Sequence, residues 1–216
     1  MTAPLIVGIS GATGAIYGVE LLRVLKKLGQ PTHLILSEMG QRTIDIETGV
    51  PLEEVRAMAD EVHNIKNLGS SIASGSCPTR GMVIAPCSIK TLSGIAHSFS
   101  YNLMIRAADV ILKEGRPLVL MVRETPLHKG HLELMAKASD IGAVIHPPMP
   151  AFYHKPETIT DIVHQGIGRV LDHLGVGHDL FERWQGGGGP GPRLTKTNSN
   201  RLKALYNEPD REKQGF

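Results

Sequence analysis

Five short runs of Val, Ile and Leu, at Leu5–Ile9, His33–Leu36, Met82–Ala85, Leu118–Val122 and Ala143–Ile145, constrain this chain more than any other feature. None alternates apolar with polar residues, so each is expected to be a strand buried on both faces. Between and after them lie helical patterns at 16–28, 38–47, 52–59, 89–96, 103–114, 131–141 and 158–174, several of them stopped by Gly29, Gly49, Gly115 or Gly142. Strand alternating with helix, closed by right-handed crossovers, predicts an α/β fold: a doubly wound parallel sheet with helices on both faces. A chain of 216 residues, 41% hydrophobic, holds one such core and is short for two.

We expect one domain over 1–185. Beyond Trp184 the run Gly186-Gly-Gly-Gly-Pro190-Gly-Pro192 reads as a flexible linker, and a charged and polar tail continues to Phe216. Within the tail, Asn200–Tyr206 has the pattern of a helical turn or two, and no chemistry is assigned to 186–216.

Composition removes several functional classes. A net charge of +2 and scattered aromatics (one Trp, four Tyr, four Phe) supply neither the basic face nor the stacking platform of a nucleic-acid binder. No apolar run approaches membrane-spanning length, and Met1-Thr-Ala-Pro4 lacks a charged leader, so no membrane partner is expected and a cytoplasmic location is. Cys77 and Cys87 stand ten apart without CxxC spacing, which suits reduced thiols.

In a doubly wound sheet, ligands bind beyond the carboxyl ends of the strands. Here the first strand runs into Ser10-Gly11-Ala12-Thr13-Gly14, the second into Ser37, the third into Pro86-Cys87-Ser88-Ile89-Lys90-Thr91, the fourth into Arg123-Glu124-Thr-Pro126, and the fifth into Pro147–Tyr153. The first loop reads as a phosphate cradle. Its glycines allow close backbone approach, and the N–H groups that open the next helix are expected to face an anion. Ser88 is an N-cap candidate, giving a second set of helix-end donors. A dinucleotide site asks for GxGxxG and an acid at the end of the second strand. Gly8-x-Ser10-Gly11-x-x-Gly14 followed by Ser37 fits that poorly, with Glu38 the one arguable acid, so a mononucleotide such as FMN is favoured over NAD.

Taken together, Ser10–Gly14, Pro86–Gly94, Arg106-Ala-Ala-Asp109, Arg123–Pro126 and Phe152-Tyr-His154 closely resemble the UbiX-type flavin prenyltransferases, in register from about residue 4 to Gln185. The resemblance implies a flavodoxin-like fold, reduced FMN as acceptor, dimethylallyl monophosphate as donor, and prenylated FMN as a product destined for UbiD-type decarboxylases. It also implies homo-oligomers, dodecamers, with active sites at subunit interfaces. Carried residue by residue, FMN contacts fall on Ser10, Gly11, Ala12, Ser37, Ser88, Ile89, Lys90, Thr91 and Arg123. The donor phosphate falls to Lys113, Arg123, Tyr153 and Arg169, while Thr13, Glu47, Arg106 and Glu124 match further polar active-site positions. Thr13 stands where several relatives have serine, and Leu68 where some carry an aromatic.

Those residue types suit the chemistry. Cleaving a carbon–oxygen bond puts charge on the departing phosphate, which cations and a phenol stabilise. No aspartate-rich DDxxD motif is present to hold magnesium on a pyrophosphate, so no metal is expected in the reaction. Glu124 is expected to assist proton transfer, with the departing phosphate as base for the C6 proton.

Read singly, the same residues are plainer. Arg106 and Lys113, seven apart, would make a solvated basic stripe on one helix face. His128 and His131 lack a third metal ligand at useful spacing. Cys87 has no readable His/Asp companions and is expected to be a loop residue near the flavin. Two other functions share the flavin site: an FMN-dependent cysteine decarboxylase, whose Pro-Ala-Ser-Ala-Asn-Thr motif and active-site histidine are missing here, and a non-catalytic subunit that stores or delivers FMN.

Overall fold

The computed structural model describes residues 2–184 and 186. The expected tail, including Asn200–Tyr206, lies outside the described residues. In chain order the elements are β1 Leu5–Ile9, α1 Ala15–Lys27, β2 Thr32–Leu36, α2 Glu38–Thr48, α3 Leu52–Ala57, β3 Glu61–His63, β4 Gly81–Cys87, α4 Ile89–Ala96, α5 Leu103–Lys113, β5 Leu118–Val122, α6 Lys129–Asp140, β6 Ala143–Ile145 and α7 Ile159–His173, with a 3-10 turn at Ser71–Ala73. The strands form one sheet in the order β3-β2-β1-β4-β5-β6. Every pairing in it is parallel.

The sheet is buried on both faces because the central strands β1, β4 and β5 are apolar at successive positions, and all their residues are buried. One face packs Val7, Ile9, Val83, Ala85, Val119 and Met121 against α1 and α7, with Ile44 of α2 and Val55 of α3 in the same cluster. The other packs Ile6, Ile35, Met82, Ile84, Leu118 and Leu120 against α4 and α5, with Ala138 of α6. The strand order reverses between β1 and β4, so their two carboxyl ends open a crevice at the switch point.

All five expected strands form. The sixth, β3, has no counterpart in the sequence pattern, because Glu61-Val62-His63 is three residues long, carries two polar side chains and leaves Glu61 and Val62 exposed at the sheet edge. A short, charged edge strand has no apolar run to signal it. It is set instead by tertiary contacts: the Thr32 N–H donates to Asp60 Oδ2 at 2.7 Å, and the Asp60 N–H donates to the Thr32 carbonyl at 3.1 Å.

The α1 helix lies so close to β1 and β4 that only glycine fits at its contact. A Cβ on Gly18 would stand 2.3 Å from the Ala85 carbonyl oxygen and 2.7 Å from Ile9 Cδ1. Backbone cannot yield as a flexible side chain can, so Gly18→Ala is expected to cost about 2–3 kcal/mol, the upper range for overpacking. Urea unfolding monitored by circular dichroism checks this; an unchanged midpoint would refute the close packing.

Candidate active site

At the switch point one buried hydroxyl joins the two strand ends. Ser10, 1% exposed, follows β1; its Oγ donates to the Pro86 carbonyl at 2.9 Å and accepts the Ser88 N–H at 2.7 Å. The Ser10 N–H also donates to the Pro86 carbonyl, at 3.2 Å. These bonds hold the loop after β1 against the start of α4. Ser88 in turn caps α4, accepting the Thr91 N–H at 3.3 Å, and its Oγ donates to Thr91 Oγ1 at 3.1 Å. Ser37 caps α2 in the same way, accepting the Gly40 N–H at 2.9 Å. Two capped helix ends thus point at one place, each with positive dipole and unpaired N–H groups.

Between them lies an open cleft of about 430 Å³ lined by Gly11, Ser37, Glu38, Met39, Ile65, Lys66, Ser88, Lys90, Thr91, Tyr101, Asn102 and Met104. Gly11 is required there, since a Cβ would meet Met39 Cβ at 2.3 Å. Lys90 lies 5.4 Å from the Tyr101 ring centroid, which holds a cation over the cleft's aromatic wall. Arg123 is anchored beside it through its own N–H, which donates to the Cys87 carbonyl at 3.0 Å. The arrangement offers hydroxyls, helix-end N–H groups and Lys90 to an anion, and Ile65, Tyr101 and Met104 to a flat ring.

A flavoprotein family model matches residues 2–171. The chain is 60% identical over 185 residues to the flavin prenyltransferase UbiX of Salmonella typhimurium, an alignment covering 84% of this chain and 98% of that protein. The chain belongs to the UbiX flavin prenyltransferase family. Its fold matches the crystal structure of AnUbiX (PadA1) in complex with FMN and dimethylallyl pyrophosphate at 45% identity and a TM-score of 0.85, covering 86% of this chain and 99% of that one. It also matches a dodecameric FMN-dependent UbiX-like decarboxylase from Escherichia coli O157:H7 at 49% identity and a TM-score of 0.82, covering 85% and 100%.

The residues singled out from sequence fall into three groups in one subunit. Ser10, Gly11, Ser37, Ser88, Lys90 and Thr91 gather at or directly beneath the cleft, Ala12 and Thr13 share the loop of Ser10 and Gly11, Ile89 opens α4, and Arg123 and Glu124 follow β5, the strand paired with β4. Glu124, exposed, accepts the Thr125 N–H at 3.0 Å. Tyr153 and Arg169 gather at α7 instead: Gln165 Nε2 donates to Tyr153 Oη at 3.5 Å, and Arg169, one turn beyond Gln165, pairs with Asp172 at 2.8 Å. Arg106 and Lys113 run away along α5. Arg106 donates to Asp109 at 2.9 Å and to the Ala73 carbonyl at 3.2 Å, and Lys113 pairs with Glu114 at 2.7 Å. Lys113 lies about 14 Å along the helix axis from Met104 at the cleft, at 1.5 Å per residue, so it sits toward the opposite edge of the sheet.

Two expectations change. The N–H groups opening α1 do not await an external anion: Gly14 and Ala15 donate to Glu47 Oε2 at 2.8 and 2.9 Å. Gly14 has no side chain to cap the helix and α1 has no acid in its first turn, so a carboxylate from α2 supplies the missing anion. The helix ends that open on the cleft are those of α2 and α4. Cys87 is the last residue of β4 rather than a loop residue, and complete burial holds its thiol far above the usual range, so it is inert packing. Sequence reading missed Ile65, Lys66, Tyr101, Asn102 and Met104. The available signal was Asn102, which caps α5 by accepting the Ile105 N–H at 3.0 Å.

On the α7 side, His146 faces His173 with ring centroids 6.1 Å apart. Burial first, then the nearby His173 and Arg169, hold the His146 pKa below its ordinary value. Burial does the same to His164, against the opposing pull of Asp161. The unfolded chain takes up these protons near pH ~6.5 while the folded chain resists them. The protein is therefore expected to keep full stability above that pH and to lose it as pH falls toward 5, with His146→Gln flattening the slope of the urea midpoint. In the cleft, Ser10→Ala strands the Ser88 N–H and removes the side-chain donor to Pro86. A loss of about 2–3 kcal/mol and at least tenfold weaker FMN binding, read by flavin fluorescence titration, are expected.

Proposed function

We infer that this chain transfers the dimethylallyl group from dimethylallyl monophosphate to N5 and C6 of reduced FMN, giving prenylated FMN. The observation that carries this reading is the cleft at the β1/β4 switch point, built in a chain 60% identical over 185 residues to a flavin prenyltransferase. Reduced FMN supplies the nucleophilic N5 and C6, and the donor supplies the allylic carbon and a phosphate leaving group; as the carbon–oxygen bond breaks, negative charge grows on the phosphate and positive charge on the allylic unit.

The chain's own residues divide the work. Ser88, Lys90, Thr91 and the α4 N–H groups offer phosphate-sized recognition without a metal, Ser37 and Gly11 border the same cleft, and Arg123 follows β5, its N–H bonded to the Cys87 carbonyl next to Ser88. Tyr153, Arg169, Arg123 and Lys113 are assigned to the donor phosphate, where charge-assisted hydrogen bonds strengthen as the carbon–oxygen bond breaks. Glu124 is assigned to proton transfer, Glu47 and Thr13 to the wall contributed by the first loop, and Arg106 to the polar rim. Because Lys113 is carried away from the cleft of its own subunit, it fits a site completed by a neighbouring copy. A dodecamer like that of the E. coli O157:H7 relative would supply such a neighbour. The product's recipient is a UbiD-type decarboxylase, and the setting is the cytoplasm; no helix of the described residues is long and apolar enough to cross a membrane.

Anaerobic incubation of the purified protein with reduced FMN and dimethylallyl monophosphate, followed by mass spectrometry of the released flavin, tests the reading. A gain of one C5H8 unit is expected, and an unchanged flavin would favour storage or delivery of FMN. Arg123→Ala is expected to lower both FMN affinity and turnover. Lys113→Ala is expected to leave FMN affinity intact while reducing turnover about a hundredfold, the scale of losing one transition-state donor. Glu124→Gln with full turnover would remove that residue from the proton-transfer role.

A further inference from the structure

At the free edge of the sheet, three side chains that the transfer reaction leaves unused converge on one point. In the parallel pairing of β2 with β3, His33 stands opposite Glu61, and Ile35 opposite His63. Side chains alternate along a strand, so Glu61 and His63, two apart, share the face occupied by His33. His33 Nδ1 lies 2.8 Å from His63 Nε2 and 3.3 Å from Glu61 Oε2, and His63 Nε2 lies 3.5 Å from Glu61 Oε1. All three ligand atoms lie within 4.8 Å of one another, and no other such triad occurs among the described residues. His128 and His131, with ring centroids 3.6 Å apart, have no third partner of this kind.

We propose that His33, His63 and Glu61 form a binding site for a divalent first-row transition ion such as Zn2+, which clamps the edge strand β3 onto the sheet.

The donor set fits that ion class. Two imidazoles and one carboxylate are a common zinc set, leaving a fourth position for water. Metal–nitrogen bonds of about 2.0–2.1 Å place two tetrahedral ligand atoms about 3.4 Å apart. The carboxylate oxygens already stand at 3.3 and 3.5 Å from the nitrogens, and the two imidazoles need part by only about half an ångström to reach that spacing. Burial differs usefully across the set: the His33 and His63 side chains are 12% and 6% exposed, while Glu61 is 56% exposed and leaves a solvent-side path for entry.

A supporting contact exists as well. Ser70 Oγ lies 2.7 Å from His63 Nδ1. With the Nδ1–H donated to that hydroxyl, the Nε2 lone pair is turned toward His33 and Glu61, the arrangement that fixes tautomer and ring orientation in metal sites. The base of the site is held by the Thr32–Asp60 hydrogen bonds, which fix the register that puts His33 beside Glu61. An ion here would stiffen a strand of three residues that leads directly to Ile65 and Lys66 in the cleft wall. Its role is structural, separate from the transfer chemistry.

The test uses the full chain, stripped with a chelator and titrated with Zn2+ by calorimetry and with Co2+ by visible absorption. One saturable equivalent per chain is expected, with Co2+ bands of a four- or five-coordinate site and a Zn2+-dependent rise in Tm. His33→Asn is expected to abolish that equivalent, Glu61→Gln to weaken it at least tenfold, and Ser70→Ala to weaken it about 10–100-fold. His128→Asn should leave it unchanged. If His33→Asn fails to fold, Glu61→Gln decides, because that side chain is exposed and bears no packing. Absence of a saturable equivalent, or an affinity that Glu61→Gln leaves unaltered, overturns the proposal.

Discussion

The buried hydroxyl of Ser10 is the contact on which the rest of the site depends. It ties the end of β1 to Pro86 and Ser88 at the place where the winding of the sheet reverses, partners 76 and 78 positions away along the chain. Without that tie, the loop after β1 would be held to the approach to α4 only by strand pairing and the Ser10 N–H. With it, the Ser88 cap, the open N–H groups of α4 and the glycine at position 11 share one frame. The contact matters because it is dry: without the hydroxyl the Ser88 N–H would be left unpaired and bear a desolvation penalty, while the Pro86 carbonyl would keep only the Ser10 N–H.

Charge is distributed unevenly around that frame. The α1 helix end, the obvious anion cradle, is neutralised internally by Glu47, so the cleft's helix-end donors come from α2 and α4. Lys90 and Arg123 stay near it, whereas Arg169 is grouped with Tyr153 and Gln165 at α7, and Lys113 is carried by α5 toward the opposite edge. Arg106, Lys113 and Arg169 are each balanced by an acid on or next to their own helix, namely Asp109, Glu114 and Asp172. These partly exposed pairs are screened by solvent and hold their partners weakly.

Much of this architecture is legible in the order of residues. The five apolar runs, Gly29, Gly49, Gly115 and Gly142 near the helix ends, and the polar loops after the first, third and fourth strands are local signals, each carried by a few consecutive residues. Ser37 and Ser88 are legible as caps or loop-end hydroxyls for the same reason. β3 is not, because Glu61-Val62-His63 owes its strand conformation to pairing with β2 rather than to its own pattern. The cleft residues Ile65, Lys66 and Tyr101 are hidden similarly: they lie in segments whose position follows from what they pack on.

By itself, then, the chain's order of residues determined the fold class, the switch-point loops, the flavin-type first loop and, through five motifs in register, the family. These rest on short-range periodicity and turn chemistry, which act within a few residues wherever the chain goes. Only the tertiary structure decided that Glu47 closes the α1 helix end, that Cys87 is sealed in a strand, that Lys113 stands away from its own cleft, and that His33, Glu61 and His63 meet. Each of those depends on strand register, helix direction or contact between residues far apart in sequence, and such long-range geometry is settled only when the whole core packs.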